Sequence, residues 1–258
     1  ADLDGDGDLD ITNADILNKS HSRMYWFEND GRGHFQRHLI WRDEPGWFER
    51  HTIGDINQDG HPDVMIVNNL AGEIVWFKNP GKQIRKPWDR QVVTLGQAQA
   101  YDVTLADFDG DGDLDAASSG YTSNQVCWYQ NPGADAGEWT RHEIDLRMLE
   151  ARTISAGDVD GDGRVDLLAT AVGIRNRPAE ASNESQVAWY RNTVSAGKVA
   201  WKKQTIDPHV RAAVHGHLHD LDGDADLDVV MAQGMRVDVA PDTARHQVVW
   251  YEQRKTES

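Results

Sequence analysis

Aspartate recurs in this chain at a spacing that suits a hard divalent cation. A nine-residue pattern, Asp-x-Asp/Asn-x-Asp-Gly/Ala-x-x-Asp, begins at Asp2, Asp55, Asp107, Asp158 and Asp220. Calcium takes six to eight oxygen ligands, so a loop offering carboxylates at positions 1, 3, 5 and 9, with the carbonyl of position 7, can wrap one ion. The ligand sets expected on this basis are Asp2, Asp4, Asp6 and Asp10 with the Asp8 carbonyl, and Asp55, Asn57, Asp59 and Asp63 with the His61 carbonyl. The third is Asp107, Asp109, Asp111 and Asp115 with the Asp113 carbonyl. The last two are Asp158, Asp160, Asp162 and Asp166 with the Arg164 carbonyl, and Asp220, Asp222, Asp224 and Asp228 with the Asp226 carbonyl. Like charges held this close repel, and a bound cation offsets the repulsion. Up to five calcium ions are expected.

An EF-hand fails as an alternative. The bidentate Glu it needs at position 12 is replaced by Asn13, Ile66, Ser118, Ala169 and Met231, and the flanking segments read as strands where an EF-hand has helices. Two copies depart from the pattern. Asn57 removes one charge, and Ala225 stands where the other copies have Gly at a turn expected to need positive φ. Both are expected to weaken their loops. The four fully acidic loops and the second, with three carboxylates, take up nineteen of the 43 acidic residues, and five divalent ions would bring the formal charge from −17 to −7. Much of the acidity is ligand supply.

A second set of chemistry-bearing residues precedes the loops: Arg50 and His51, Tyr101 and Asp102, Arg152 and Thr153, and His215 with His217. Arg, His and Tyr converging from different repeats suit an acidic sugar, Arg for its carboxylate and His or Tyr for proton transfer. Alternate residues of a strand share a face. His215, His217 and His219 therefore read as a zinc site, as groups that contact or act on a sugar, or as plain lining.

These residues must be positioned by a repeat. The loop starts lie 53, 52, 51 and 62 residues apart, and each loop is followed by an aromatic signature: Trp26-Phe27-Glu28-Asn29, Trp76-Phe77-Lys78-Asn79, Trp128-Tyr129-Gln130-Asn131, Trp189-Tyr190-Arg191-Asn192 and Trp250-Tyr251-Glu252-Gln253. Between them the pattern is β. Runs such as Val64–Val67 and Val229–Ala232 follow the loops, strands such as Trp88–Val93 and Trp139–Ile144 follow the signatures, and strands such as Tyr101–Ala106 precede the loops. Four strands per roughly 50 residues, without helical periodicity, predict an all-β chain of propeller blades, with the signature Trp residues as core between blades. Five blades are visible over residues 1–258, read as one domain, the first lacking its opening strand and the last its closing one. The chain is expected to be a whole propeller with poorly completed ends or a piece of a larger one. Residues 174–185 read as a polar insertion projecting from a rim.

Composition narrows the partners. With 26 basic against 43 acidic residues, the chain lacks the positive field that nucleic acid requires. No run approaches the 18 apolar residues of a membrane span. The single Cys127, in an apolar strand pattern, reads as a buried, inert thiol.

The DFDGDGDLD loop with its downstream WYQN and WTRHEI resembles the FG-GAP/VCBS repeat family, calcium-loop propellers that also form the head of integrin α chains, and especially its secreted bacterial members. The resemblance spans essentially the whole chain. It implies a β-propeller in an extracellular or periplasmic setting, and it leaves activity open. Three readings stand: a binding or scaffold module for carbohydrate, a carbohydrate-active lyase or dehydratase using His215, His217, Tyr101, Arg152, Arg50 or His51, and an adhesion module for an extracellular protein.

Overall fold

The computed structural model describes residues 1–258 apart from 19–20, 45, 134–136, 174–184, 196–197, 209, 211, 234–246 and 255–258. The insertion expected at 174–185 lies outside the described residues except for Ser185. The described residues are all-β, with one short 3-10 turn among them at Gly81–Gln83. Five antiparallel sheets follow one another. The first holds β1 (Ile11–Asn18), β2 (His21–Asn29) and β3 (Phe35–Glu44); the second β4 (Phe48–Gly54), β5 (Asp63–Asn68), β6 (Glu73–Lys78) and β7 (Asp89–Thr94). The third holds β8 (Ala100–Ala106), β9 (Asp115–Gly120), β10 (Gln125–Gln130) and β11 (Thr140–Asp145); the fourth β12 (Ala151–Gly157), β13 (Asp166–Ala171), β14 (Gln186–Ser195) and β15 (Lys198–Asp207). The fifth holds β16 (Ala213–His219), β17 (Asp228–Gln233) and β18 (Gln247–Tyr251). In the second to fifth sheets the Asp loop joins the first strand to the second, and in the first it precedes β1. Trp88 and Trp139 precede their strands instead of opening them.

The sheets stack in chain order: β4 packs on β8, β8 on β12 and β12 on β16, with β1 beside β4. Being covered on both faces explains why all six residues of β5, β9 and β13 are buried, and why these strands read as unbroken apolar or small runs. The second residue of each loop is the plug between neighbours. Leu3 packs with Phe77 and Trp88 of the second repeat, Ile56 with Trp76 and Tyr129, and Phe108 with Trp128, Tyr190 and Trp201. Trp26, Trp76 and Trp128 are buried, as expected of blade core. Trp250 departs from that expectation: it is 50% exposed, with Leu221 and Val248 also exposed beside it in the fifth repeat. The cause is that no further sheet covers that face among the described residues. Cys127 is fully buried, and burial raises its thiol pKa.

The Asn that ends the second, third and fourth aromatic signatures staples repeat to repeat. Asn79 Nδ2 donates to the carbonyls of Leu3 (2.9 Å) and Pro62 (3.0 Å), Asn131 to Ile56 (2.9 Å) and Leu114 (2.9 Å), and Asn192 to Phe108 (2.7 Å) and Val165 (3.1 Å). In each case one partner is the plug residue of the preceding loop. Gln253 makes the same reach to Val159, at 2.9 Å, whereas Asn29 Nδ2 donates within its own repeat, to Leu9.

Asn131→Ala strands two carbonyls between the second and third sheets, and an unsatisfied buried acceptor costs about 1–3 kcal/mol. We expect a loss of that size in chemical denaturation, with Asn29→Ala within about 0.5 kcal/mol of the parent. Equal losses at the two positions would remove the staple.

Candidate metal loops, central cluster and inter-sheet recess

Each loop is wound about its own carboxylates. The first Asp accepts backbone N–H groups from three to five residues on: Asp107 Oδ1 from Gly110 (2.7 Å) and Oδ2 from Gly112 (3.0 Å), with the same arrangement at Asp2 and Asp220. Position 3 accepts from position 5, and position 5 from position 7, as Asp109 and Asp111 do. The sixth residue turns the chain with positive φ: 97° at Gly7, 86° at Gly60, 95° at Gly112, 84° at Gly163 and 71° at Ala225. Ala225 therefore adopts the backbone that disfavours a Cβ, at a cost of order 1–3 kcal/mol.

Position 9 is buried in every copy, as Asp10, Asp63, Asp115, Asp166 and Asp228. Its two oxygens accept from the N–H of position 2 and from the N–H of the signature Asn or Gln, for Asp115 at 3.2 Å (Phe108) and 2.8 Å (Asn131). Burial pushes the Asp63 and Asp115 carboxyls up to about 7, and the neighbouring aspartates add to it. A divalent cation would relieve that cost, and the donors are all hard oxygens suited to calcium. Three ligand oxygens lie within 4.8 Å of one another in four loops: Asp2, Asp4 and Asp6; Asp107, Asp109 and Asp115; Asp158, Asp160 and Asp166; Asp220, Asp222 and Asp224. The second loop, with Asn57, forms no such group.

Four of the residues expected to converge do so. Arg50 of β4 lies with Nη2 2.7 Å from His215 Nδ1 on β16, and its guanidinium is 5.9 Å from the centroid of the Tyr101 ring on β8. Arg152 of β12 is sandwiched between Tyr101 at 4.7 Å and Tyr121 at 4.1 Å. Beside them Asp102 is buried and accepts from the Ile154 N–H at 3.2 Å, tying β8 to β12; burial pushes its carboxyl up to about 7. His51 stands apart, its Nε2 2.8 Å from Thr12 Oγ1 on β1. His217 and His219 are exposed, and His215 is engaged by Arg50. Burial and then Arg50 lower the His215 pKa, which favours the neutral ring whose Nδ1 accepts the Arg50 N–H.

Sequence reading overlooked a recess of about 230 Å³ between the second and third sheets, lined by Trp76, Gln91, Lys78, Asn57, Asn131 and Trp139. The strand register carries its signal. Opposite the signature Trp, His38 stacks on Trp26 at 4.7 Å and His142 on Trp128 at 4.3 Å, but Gln91 stands opposite Trp76, where it lines the recess with the indole.

Residues 2–66, 55–118 and 107–169 each match the FG-GAP-like repeat. No curated protein matches the sequence. Among solved structures, an Agrocybe aegerita lectin, studied for its recognition of non-reducing terminal N-acetylglucosamine, aligns over 86% of this chain and 62% of its own, with TM-score 0.52 and 17% identity. The V. cholerae biofilm matrix protein Bap1 aligns over 84% and 29% (TM-score 0.43, 17% identity), and a glucose dehydrogenase over 88% and 75% (TM-score 0.48, 13% identity). The chain thus spans less than two thirds of the length of the first two. The likeness to the lectin is one of fold.

The folded pKa of Asp102, near 7, lies above the ordinary carboxylate value of about 3.9. Its cost is absent below about pH 4 and grows as pH rises towards 7, because over that window the folded state holds the proton more tightly. In thermal unfolding, Asp102→Asn should lose less stability than the parent between pH 4 and 7. Parallel curves would contradict it.

Proposed function

The chain belongs to the FG-GAP-like repeat family, and from that premise we propose that it is an extracellular, calcium-stabilised β-propeller module that binds carbohydrate between its second and third sheets. The observation that carries the ligand reading is the recess itself. Two indoles, Trp76 and Trp139, supply apolar surface for a pyranose ring, and the Gln91 amide supplies a polar contact that orients a ligand in such a site. Calcium is supported by the grouped oxygens of the loops and by the burial cost at position 9. The propeller is supported by the chain-order stacking of similar sheets. An extracellular setting accords with the repeat family, and no helix among the described residues is long and apolar enough to cross a membrane. The lectin's fold makes glycans ending in N-acetylglucosamine the first ligands to test.

A second reading is favoured by one contact, Arg50 Nη2 at 2.7 Å from His215 Nδ1, in a cluster with Tyr101 and Arg152. It would suit an acidic sugar: with Arg50 turned from Nδ1 to the sugar carboxylate, His215 would take the proton alpha to that carboxylate as the glycosidic C–O bond beta to it breaks and the departing oxygen takes a proton from water, as a lyase requires. Uronate polysaccharide would then give an ultraviolet-absorbing unsaturated product, abolished by His215→Ala.

Chelation should lower the unfolding temperature by several degrees, since any ligand of the folded state stabilises it; an unchanged melt would end the calcium reading. On a glycan array the parent should bind, and Trp139→Ala should weaken binding at least about tenfold, roughly 1.4 kcal/mol. Full retention by the variant would move the site out of the recess.

A further inference from the structure

The loops fall into two kinds, and two independent positions divide them the same way. At position 7 of the loop stand Asp8, His61, Asp113, Arg164 and Asp226; at the third position of the aromatic signature stand Glu28, Lys78, Gln130, Arg191 and Glu252. Loops one, three and five have Asp at the first position and no cation at the second. Loops two and four have His or Arg at the first and Lys or Arg at the second.

The signature strand ends against its own loop, which brings its third residue to the loop carboxylates. In the third repeat Gln130 Nε2 donates to Asp109 Oδ2 at 2.6 Å. In the second repeat Lys78 Nζ lies against position 5 instead, 3.1 Å from Asp59 Oδ2. In the fourth, Arg191 Nε lies 2.5 Å from Asp160 Oδ2 and Nη2 3.0 Å from Asp162 Oδ2, while Arg164 Nη2 lies 2.5 Å from that same Asp162 oxygen. Arg164 Nε also donates to the Asn192 carbonyl at 3.2 Å, which anchors it over the loop. In the fourth loop the oxygens that an ion would use at positions 3 and 5 are thus both engaged by guanidinium groups, and in the second loop an ammonium engages the one at position 5.

Charge agrees with contact. Counting every aspartate of the nine positions, loops one, three and five hold five each, the second three and the fourth four. Less the one cation of the second and the two of the fourth, both even loops are left near −2. A divalent ion entering them would meet an ammonium or guanidinium within a few ångströms, a repulsion worth about 1–4 kcal/mol between unit charges at 4 Å.

Resting on the calcium reading above, we infer that loops one, three and five take an ion and that loops two and four are closed by the chain's own cations: Lys78 in the second, Arg191 with Arg164 in the fourth. The fourth loop, with its four ligand aspartates, then ranks below the fifth, despite the strained Ala225.

The test is the ion count and its positions. Native mass spectrometry of metal-stripped protein titrated with calcium should find three ions on the parent. Asn57→Asp with Lys78→Gln should add a fourth, and Arg164→Gln with Arg191→Gln should likewise add one. Crystals of the parent soaked in a lanthanide should show anomalous peaks at loops one, three and five. Five ions on the parent, a peak at loop two or four, or a count still at three in both double variants would overturn the inference. No bound ion at all would instead overturn the calcium reading on which it rests.

Discussion

The carboxylate at position 9 of each loop is the joint on which the stack depends. It is buried, and its two oxygens accept from the loop's second residue and from the signature Asn or Gln, closing the loop against the end of the third strand. A buried charge is tolerated only where hydrogen bonds or counter-charge replace its lost water. Two backbone N–H groups do part of that at Asp63 and Asp115, yet both carboxyls remain near 7. A cation placed beside such a carboxylate, whether an ion or a side chain, would offset that shortfall.

From that joint the rest of the assembly follows. The amide whose backbone N–H meets position 9 spends its side chain on the carbonyl of the previous loop's plug residue. Closing one loop therefore docks the next sheet, and plug and staple act together: Leu3, Ile56 and Phe108 are buried by the sheets that follow them, and Leu221, with no sheet to follow among the described residues, is exposed. Each repeat is stabilised chiefly by its neighbours, as expected where the chain is built from units that cannot bury both faces alone.

Within an acidic chain, cations are placed with purpose. Arg50 and Arg152 gather where the opening strands of the sheets face one another, met by aromatic rings, by His215 and, for Arg152, by the Glu150 carboxylate at 3.4 Å. Lys78 and Arg191 lie against loops instead. The first pair gathers cations and aromatic rings between the opening strands, and the second pair places cations against loop carboxylates.

Much of this was legible in the residues. The nonapeptide and the Trp signature state the repeat and its strands, because an Asp turn and an alternating strand are local: their spacing is set by a few consecutive dihedral angles. The convergence of Arg50, Tyr101, Arg152 and His215 was legible too, since repeats in register place equivalent residues alike. Sequence alone did not reveal which surfaces neighbouring sheets would cover. Trp26 and Trp250 occupy the same position in their repeats, yet one is buried and the other half exposed. Trp76 and Trp139, 63 residues apart, line one recess. Nor did local pattern disclose that Lys78 and Arg191 would meet Asp59 and Asp160, because those contacts arise only when the third strand is laid against its loop. What the sequence determined is the unit; what only tertiary structure decided is the environment each unit meets, because burial and charge pairing are properties of neighbours in space.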